Sequence, residues 1–137
     1  MADGWQSWQR WTLGCLLMVL PLAYCDDAPP ALVPRILPVP LTDGGELPLY
    51  WFAMPAANDN APRPMVLLIH GGDWSQGTPQ LLFDHARHFA QQGAVGVVLS
   101  YRLTNKTDRG LGDCLADIRT QLTWLRAHAA ELGGDAK

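Results

Sequence analysis

Met65-Val66-Leu67-Leu68-Ile69-His70-Gly71-Gly72-Asp73-Trp74 runs from five apolar residues straight into His-Gly-Gly. The apolar run, rich in branched side chains, predicts a strand over Met65–His70 that is buried on both faces. Two adjacent glycines permit positive φ and close approach, so consecutive N–H groups can converge on one point. Such a cluster suits negative charge developing on an oxygen, which is what acyl transfer requires. The same residues also fit a second reading, a strand-to-helix turn that simply needs glycine.

Downstream of this stretch, Thr78-Pro79 marks a helix start, with Thr as N-cap and Pro at the first helical position. Its inner face is expected to carry Leu81, Leu82, His85, Phe89 and Ala90, and Gly93 is placed to stop it. Ala94–Tyr101 reads as a second buried strand, and Arg102–Gly112 as a polar loop. Asp113 can cap a last helix whose apolar positions Leu115, Ile118, Leu122, Leu125, Ala129 and Leu132 fall on one stripe, ended by Gly133-Gly134.

Upstream, Pro29, Pro30, Pro34, Pro38 and Pro40 exclude a helix between Asp26 and Pro40. That segment reads as extended, with an edge strand over Arg35–Val39. Thr42-Asp43-Gly44-Gly45 is a turn, and Glu46–Met54 is a strand that closes an antiparallel hairpin. Ala56–Pro64 is a polar loop. Two edge strands followed by strand, helix, strand, helix make an α/β fold. The expected sheet is mostly parallel, with an antiparallel hairpin at its N-terminal edge.

The first 25 residues differ from the rest. Arg10 precedes an almost wholly apolar run from Trp11 to Tyr24, shorter than the ~20 residues that span a bilayer. With Ala23 and Cys25 at the small-residue positions of a cleavage site, residues 1–25 are expected to be a signal peptide. Leu22-Ala23-Tyr24-Cys25 also resembles a bacterial lipoprotein box, so a membrane anchor is expected only if Cys25 is lipidated. Either way the mature chain would work outside the cytoplasm, secreted or periplasmic. The expected division is residues 1–25 as leader, 26–34 as Pro-rich lead-in and 35–137 as an incomplete α/β domain.

Composition narrows the function classes. The 137 residues are 48% hydrophobic and 17% charged with net charge -3, which fits a globular chain and offers no basic footprint for nucleic acid. Cys15, Cys25 and Cys114 form no close pair, which argues against a zinc cage or a disulfide framework.

Together these residues carry a resemblance. His70-Gly71-Gly72-Asp73-Trp74, Ser100-Tyr101-Arg102-Leu103, and Asp117 through Trp124-Leu125 to His128-Ala129-Ala130-Glu131-Leu132-Gly133-Gly134-Asp135 occur in order. They resemble the N-terminal half of an α/β-hydrolase of the bacterial esterase/lipase group, which includes hormone-sensitive-lipase-like and feruloyl- or acetyl-esterase-like enzymes. The resemblance implies a serine carboxylic-ester hydrolase without cofactor, acting on a small-molecule ester. It makes Gly71, Gly72 and Asp73 the oxyanion loop, with His70 and Trp74 supporting it. In that family a Gly-x-Ser-x-Gly elbow comes next. The chain contains no such motif: Ser7, Ser75 and Ser100 do not lie between glycines. The expectation is therefore a fragment with no catalytic triad, inactive alone. The competing expectation is a non-enzymatic secreted or lipid-anchored interaction module built on the half-sheet.

Other candidates carry blander readings. His70 is expected to brace the loop by a hydrogen bond rather than act as a base, and Trp74 to pack beside it. Asp84, His85 and His88 lie near one another on a helix but lack further ligands, so no metal site is expected. His128 is expected to be a solvated residue near a helix C-terminus, Cys114 a half-buried structural thiol, and Ser100 a strand-end residue. Asp113 and Asp117 are expected to be cap and surface residues.

Overall fold

A computed structural model describes residues 32–55, 61–104 and 110–136 of the chain. The expected leader, most of the Pro-rich lead-in and part of each polar loop lie outside the described residues.

Strand β1 (Arg35–Pro40) turns back into β2 (Glu46–Phe52), with Leu37 opposite Leu49 and Val39 opposite Leu47. The hairpin forms where the sequence places it. Gly44 and Gly45 supply φ values of +90° and +84°, and the Leu41 N–H donates to the Gly45 carbonyl at 3.1 Å. Pro38 and Pro40 are tolerated because β1 lies at the edge of the sheet among the described residues.

Strand β3 (Met65–Ile69) leads through the loop to a 3₁₀ turn, Pro79–Leu82, and helix α1 (Phe83–Gln91). Strand β4 (Val95–Leu99) and helix α2 (Leu111–His128) follow. The sheet order is β1-β2-β4-β3. β3 and β4 are parallel, whereas β1–β2 and β2–β4 are antiparallel. Among the described residues the sheet is thus mixed rather than mostly parallel, because the hairpin joins β4 on the edge away from β3.

The two faces are built by alternation. Leu49, Trp51, Val95, Val97 and Leu99 pack with Ile118 and Leu125 of α2. Phe52 and Val98 pack with Ala86 and Ala90 of α1. Gly96 permits that second contact: a Cβ there would stand 2.4 Å from the Ala86 carbonyl oxygen.

Three expectations of burial are corrected. β3 is not buried on both faces, for Leu67 is 37% and Ile69 44% exposed. Its apolar run suits a central strand, but here β4 is its one strand partner among the described residues. On the first helix, Leu81 and His85 face solvent and Ala86 and Ala90 are buried. Opening as a 3₁₀ turn rather than as α-helix shifts the phase of its faces. On α2, Leu115 is exposed whereas Asp117 and Gln121 are buried. Polar residues occupy that stripe because they serve the end of β4: the Gln121 side-chain amide donates to the Ser100 carbonyl and its Oε1 accepts from the Ser100 N–H at 3.4 Å.

Candidate oxyanion site

The loop after β3 is held in a conformation that L-residues avoid. Gly72 has φ +121°, Asp73 +53°, Trp74 +61° and Gly77 +95°. Two successive non-glycine residues at positive φ are strain of the kind that clusters at functional sites, at a cost of about 1–3 kcal/mol each. Inside the turn, the Gly72 carbonyl accepts from the N–H groups of Ser75 at 3.1 Å and Gln76 at 3.0 Å. The Trp74 carbonyl accepts from the N–H of Thr104 at 3.0 Å and its hydroxyl at 3.3 Å. The N–H groups of Gly71, Gly72 and Asp73 donate to no acceptor among the described residues. The loop thus gathers its carbonyls inward and leaves consecutive donors free.

Gly72 and Gly77 are required where they stand. A Cβ on Gly72 would lie 2.1 Å from the Gln76 carbonyl oxygen, and one on Gly77 would lie 2.4 Å from that of Gly71. Gly71 has open space around it.

Tyr101, just beyond β4, anchors the base of the loop. Its hydroxyl donates to the His70 carbonyl at 3.0 Å, and its ring stacks on the His70 imidazole at 4.4 Å. Burial pushes the phenol above its ordinary value of 10.0, and Cys114 adds to that shift, so the hydroxyl remains a donor at neutral pH. His70 is itself buried and its Nδ1 lies 2.9 Å from the Gly71 carbonyl. Trp74 packs at a tilt against Tyr101, with ring centroids 5.4 Å apart.

Arg102 carries the support into α2. Its Nε and its backbone N–H donate to Asp117 Oδ2 at 2.9 and 3.0 Å, and its Nη1 reaches Asp43 in the β1–β2 turn at 2.9 Å. Hydrogen bonding to Asp117 raises the Arg102 pKa further, so the guanidinium is charged throughout. Asp117, expected at the surface, is in fact 1% exposed and holds this junction.

The other candidates are not drawn into the site. Ser100 is buried and its hydroxyl donates to the Pro48 carbonyl at 2.6 Å. Cys114 is wholly buried and its thiol donates to the Arg102 carbonyl at 3.2 Å. Asp113 accepts from the Gly110 N–H at 2.9 Å, closing the N-terminus of α2. His128 stacks on Trp124 at 4.1 Å and meets its carbonyl at 2.7 Å, so it is half-buried rather than solvated. Asp84 pairs with Arg87, and His85 and His88 are exposed. Among the described residues no three His, Cys, Asp or Glu side chains gather as a metal site, and no helix is long and apolar enough to cross a membrane.

Sequence reasoning did not single out Tyr101, Arg102, Asp117 and Gln121 as supports. The available signal was two polar residues, four apart, interrupting the apolar stripe of α2.

The loop and its supports lie within a region that matches known proteins. The BD-FAE family model matches residues 52–137. Carboxylesterase NlhH of Mycobacterium tuberculosis is 33% identical over 114 residues, which is 78% of this chain and 34% of that protein. The native thermophilic esterase of Thermogutta terrifontis superposes with a TM-score of 0.69 at 28% identity, over 78% of this chain and 38% of that one. The same esterase phosphonylated by sarin gives 0.68 at 29%, over 84% and 41%. The chain therefore spans about a third to two-fifths of the length of these relatives. With its strand–loop–helix–strand core in register with these enzymes, the chain belongs to the BD-FAE family of α/β-hydrolase esterases.

Proposed function

We propose that the chain is the oxyanion-loop portion of a secreted serine carboxylic-ester hydrolase. The observation that carries this reading is the loop after β3, where the N–H groups of Gly71, Gly72 and Asp73 meet no acceptor among the described residues and the backbone is strained at Asp73 and Trp74. In such an enzyme a serine attacks the ester carbonyl and the carbonyl oxygen becomes negative. Preformed N–H donors then strengthen as charge develops, each worth about 2.7–4 kcal/mol in a complete site. His70 and Trp74 hold the loop, and the strain is retained because Tyr101 and Thr104 pin it from behind. The Thermogutta terrifontis esterase has been seen with propionate and with butyrate bound, which supports a short acyl group in the substrate. Residues 1–25, read as a leader, support a place outside the cytoplasm.

The serine, its base and its acid are not assigned to any residue of this chain. We therefore expect the 137-residue chain by itself to leave a short-acyl aryl ester at the rate of a heat-killed control; measurable turnover would overturn that. A coding frame that carries a Gly-x-Ser-x-Gly segment beyond Lys137 would support the enzyme reading. A stop codon there, with a soluble expressed product, would instead favour a non-enzymatic module.

A further inference from the structure

The β1–β2 turn carries a backbone chemistry that the oxyanion reading does not use. The sequence holds two Asp-Gly pairs, Asp3-Gly4 and Asp43-Gly44, and the second lies among the described residues. An Asp-Gly pair can close on itself: the glycine nitrogen reaches the side-chain carboxyl carbon before it, and the missing Cβ leaves that approach open. At Gly44 an added Cβ would meet nothing within 4 Å. Asp43 and Gly44 are both exposed, so water reaches the turn.

Two contacts hold the pair back. The Gly44 N–H donates to the Leu41 carbonyl at 3.3 Å, longer than the usual ~2.7–3.2 Å. Asp43 Oδ2 accepts from Arg102 Nη1 at 2.9 Å, with the Asp43 side chain 43% exposed. Arg102 is itself fixed from the other side, since its Nε and backbone N–H both donate to Asp117 Oδ2. A carboxylate engaged by an anchored guanidinium must let go before it can meet the Gly44 nitrogen.

We propose that Asp43-Gly44 is a site of aspartyl isomerisation, restrained by Arg102, whose conversion unhooks the turn from the residues that support the loop after β3. The Gly44 nitrogen attacks Asp43 Cγ and loses its proton, and a carboxyl oxygen leaves as water, which closes a succinimide ring. Water then adds at the Asp43 main-chain carbonyl carbon and breaks that carbon's bond to the Gly44 nitrogen. The chain now runs through Cβ and Cγ, and the former main-chain carbonyl carbon is a carboxylate on Cα. Water is lost and regained, so the mass is unchanged and no other reactant is needed. The new carboxylate stands on a shorter arm in a longer turn and loses Arg102 Nη1, while Asp117 keeps the rest of Arg102. The proposal draws on the turn and Arg102 alone, so it is independent of the oxyanion reading.

The test is ageing of the full chain at physiological temperature and neutral pH. Isoaspartate at residue 43 is located by peptide mass spectrometry with electron-transfer fragmentation. A sample in urea, where both contacts are gone, gives the intrinsic rate. The folded chain is expected to convert about tenfold more slowly, because two modest contacts must open first. In about 1 M sodium chloride the screening length falls to about 3 Å. There, and in Arg102→Gln, the folded rate is expected to rise about two- to fivefold, the size of one partly exposed ion pair. Circular dichroism checks that Arg102→Gln stays folded during ageing; if it unfolds, the salt series decides alone. A folded chain that forms no isoaspartate at residue 43 while the urea sample converts would overturn the proposal. So would a folded rate equal to that in urea, or one that neither salt nor a folded Arg102→Gln raises.

Discussion

Arg102 and Asp117 tie the end of β4 to the middle of α2: two donors of Arg102, Nε and the backbone N–H, meet one carboxylate oxygen at 2.9 and 3.0 Å. Asp117 is 2% exposed at its side chain and Arg102 23%. Removing one partner of a buried pair leaves the other charge uncompensated, at about 3–5 kcal/mol when both are fully buried. Because Arg102 keeps some contact with water, Asp117→Ala is expected to cost about 2–3 kcal/mol. Asp43→Ala, at a carboxylate 43% exposed, should cost less than about 1 kcal/mol. Urea midpoints at constant slope would measure both, and equal losses would contradict the ranking.

Gly77 and Gly71 should answer differently to the same substitution. Gly77→Ala puts a methyl group at φ +95° and 2.4 Å from the Gly71 carbonyl oxygen, so a loss of about 1–3 kcal/mol is expected. Gly71→Ala meets nothing within 4 Å and should stay within about 0.5 kcal/mol of the parent. Chemical denaturation of the two variants checks this, and equal losses would contradict it.

Alkaline pH should loosen the fold through Cys114. Burial first, and then the charge of Asp117, raise its thiol pKa above the ordinary 9.0. The folded state therefore holds the proton longer than the unfolded chain does. The contribution to stability is full below the unfolded value and is lost as pH rises through the folded one. Stability followed from pH 7 upward should be level in this respect until about pH 9 and then decline. Cys114→Ala should flatten the part of the decline that begins at the thiol, leaving the part from Tyr101, whose pKa is also raised. An unchanged profile would count against it.

The outer side of β3 is a liability in solution. Leu67 and Ile69 are exposed on a strand whose one strand partner among the described residues is β4. Unpaired apolar edges recruit other chains. Leu67→Lys and Ile69→Lys are each expected to raise the fraction that elutes as monomer in size-exclusion chromatography. A parent chain that is already wholly monomeric at high concentration would contradict the premise.

Much of the fold was legible in local sequence. The hairpin follows from Asp43-Gly44-Gly45 between two runs of strand formers, and the strand–helix–strand–helix order follows from period and punctuation. Burial was less legible. The apolar run of β3 carries no information about how many neighbours it has, and Leu115 differs from Leu125 only in which way α2 is turned. That turn is set by where Asp117 and Gln121 find partners on β4.

The sequence by itself determined where the loop falls: an apolar strand ends at His70, and Gly72 supplies the positive φ the chain adopts there, while the same residues also allow a plain strand-to-helix turn. Only the tertiary structure decided what holds it there. Tyr101 comes from the adjacent strand's end, Arg102 reaches Asp117 on a helix and Asp43 in a turn 59 residues away in the chain. Such partnerships depend on which elements lie side by side, and the parallel pairing of β3 with β4 places Tyr101 beneath His70.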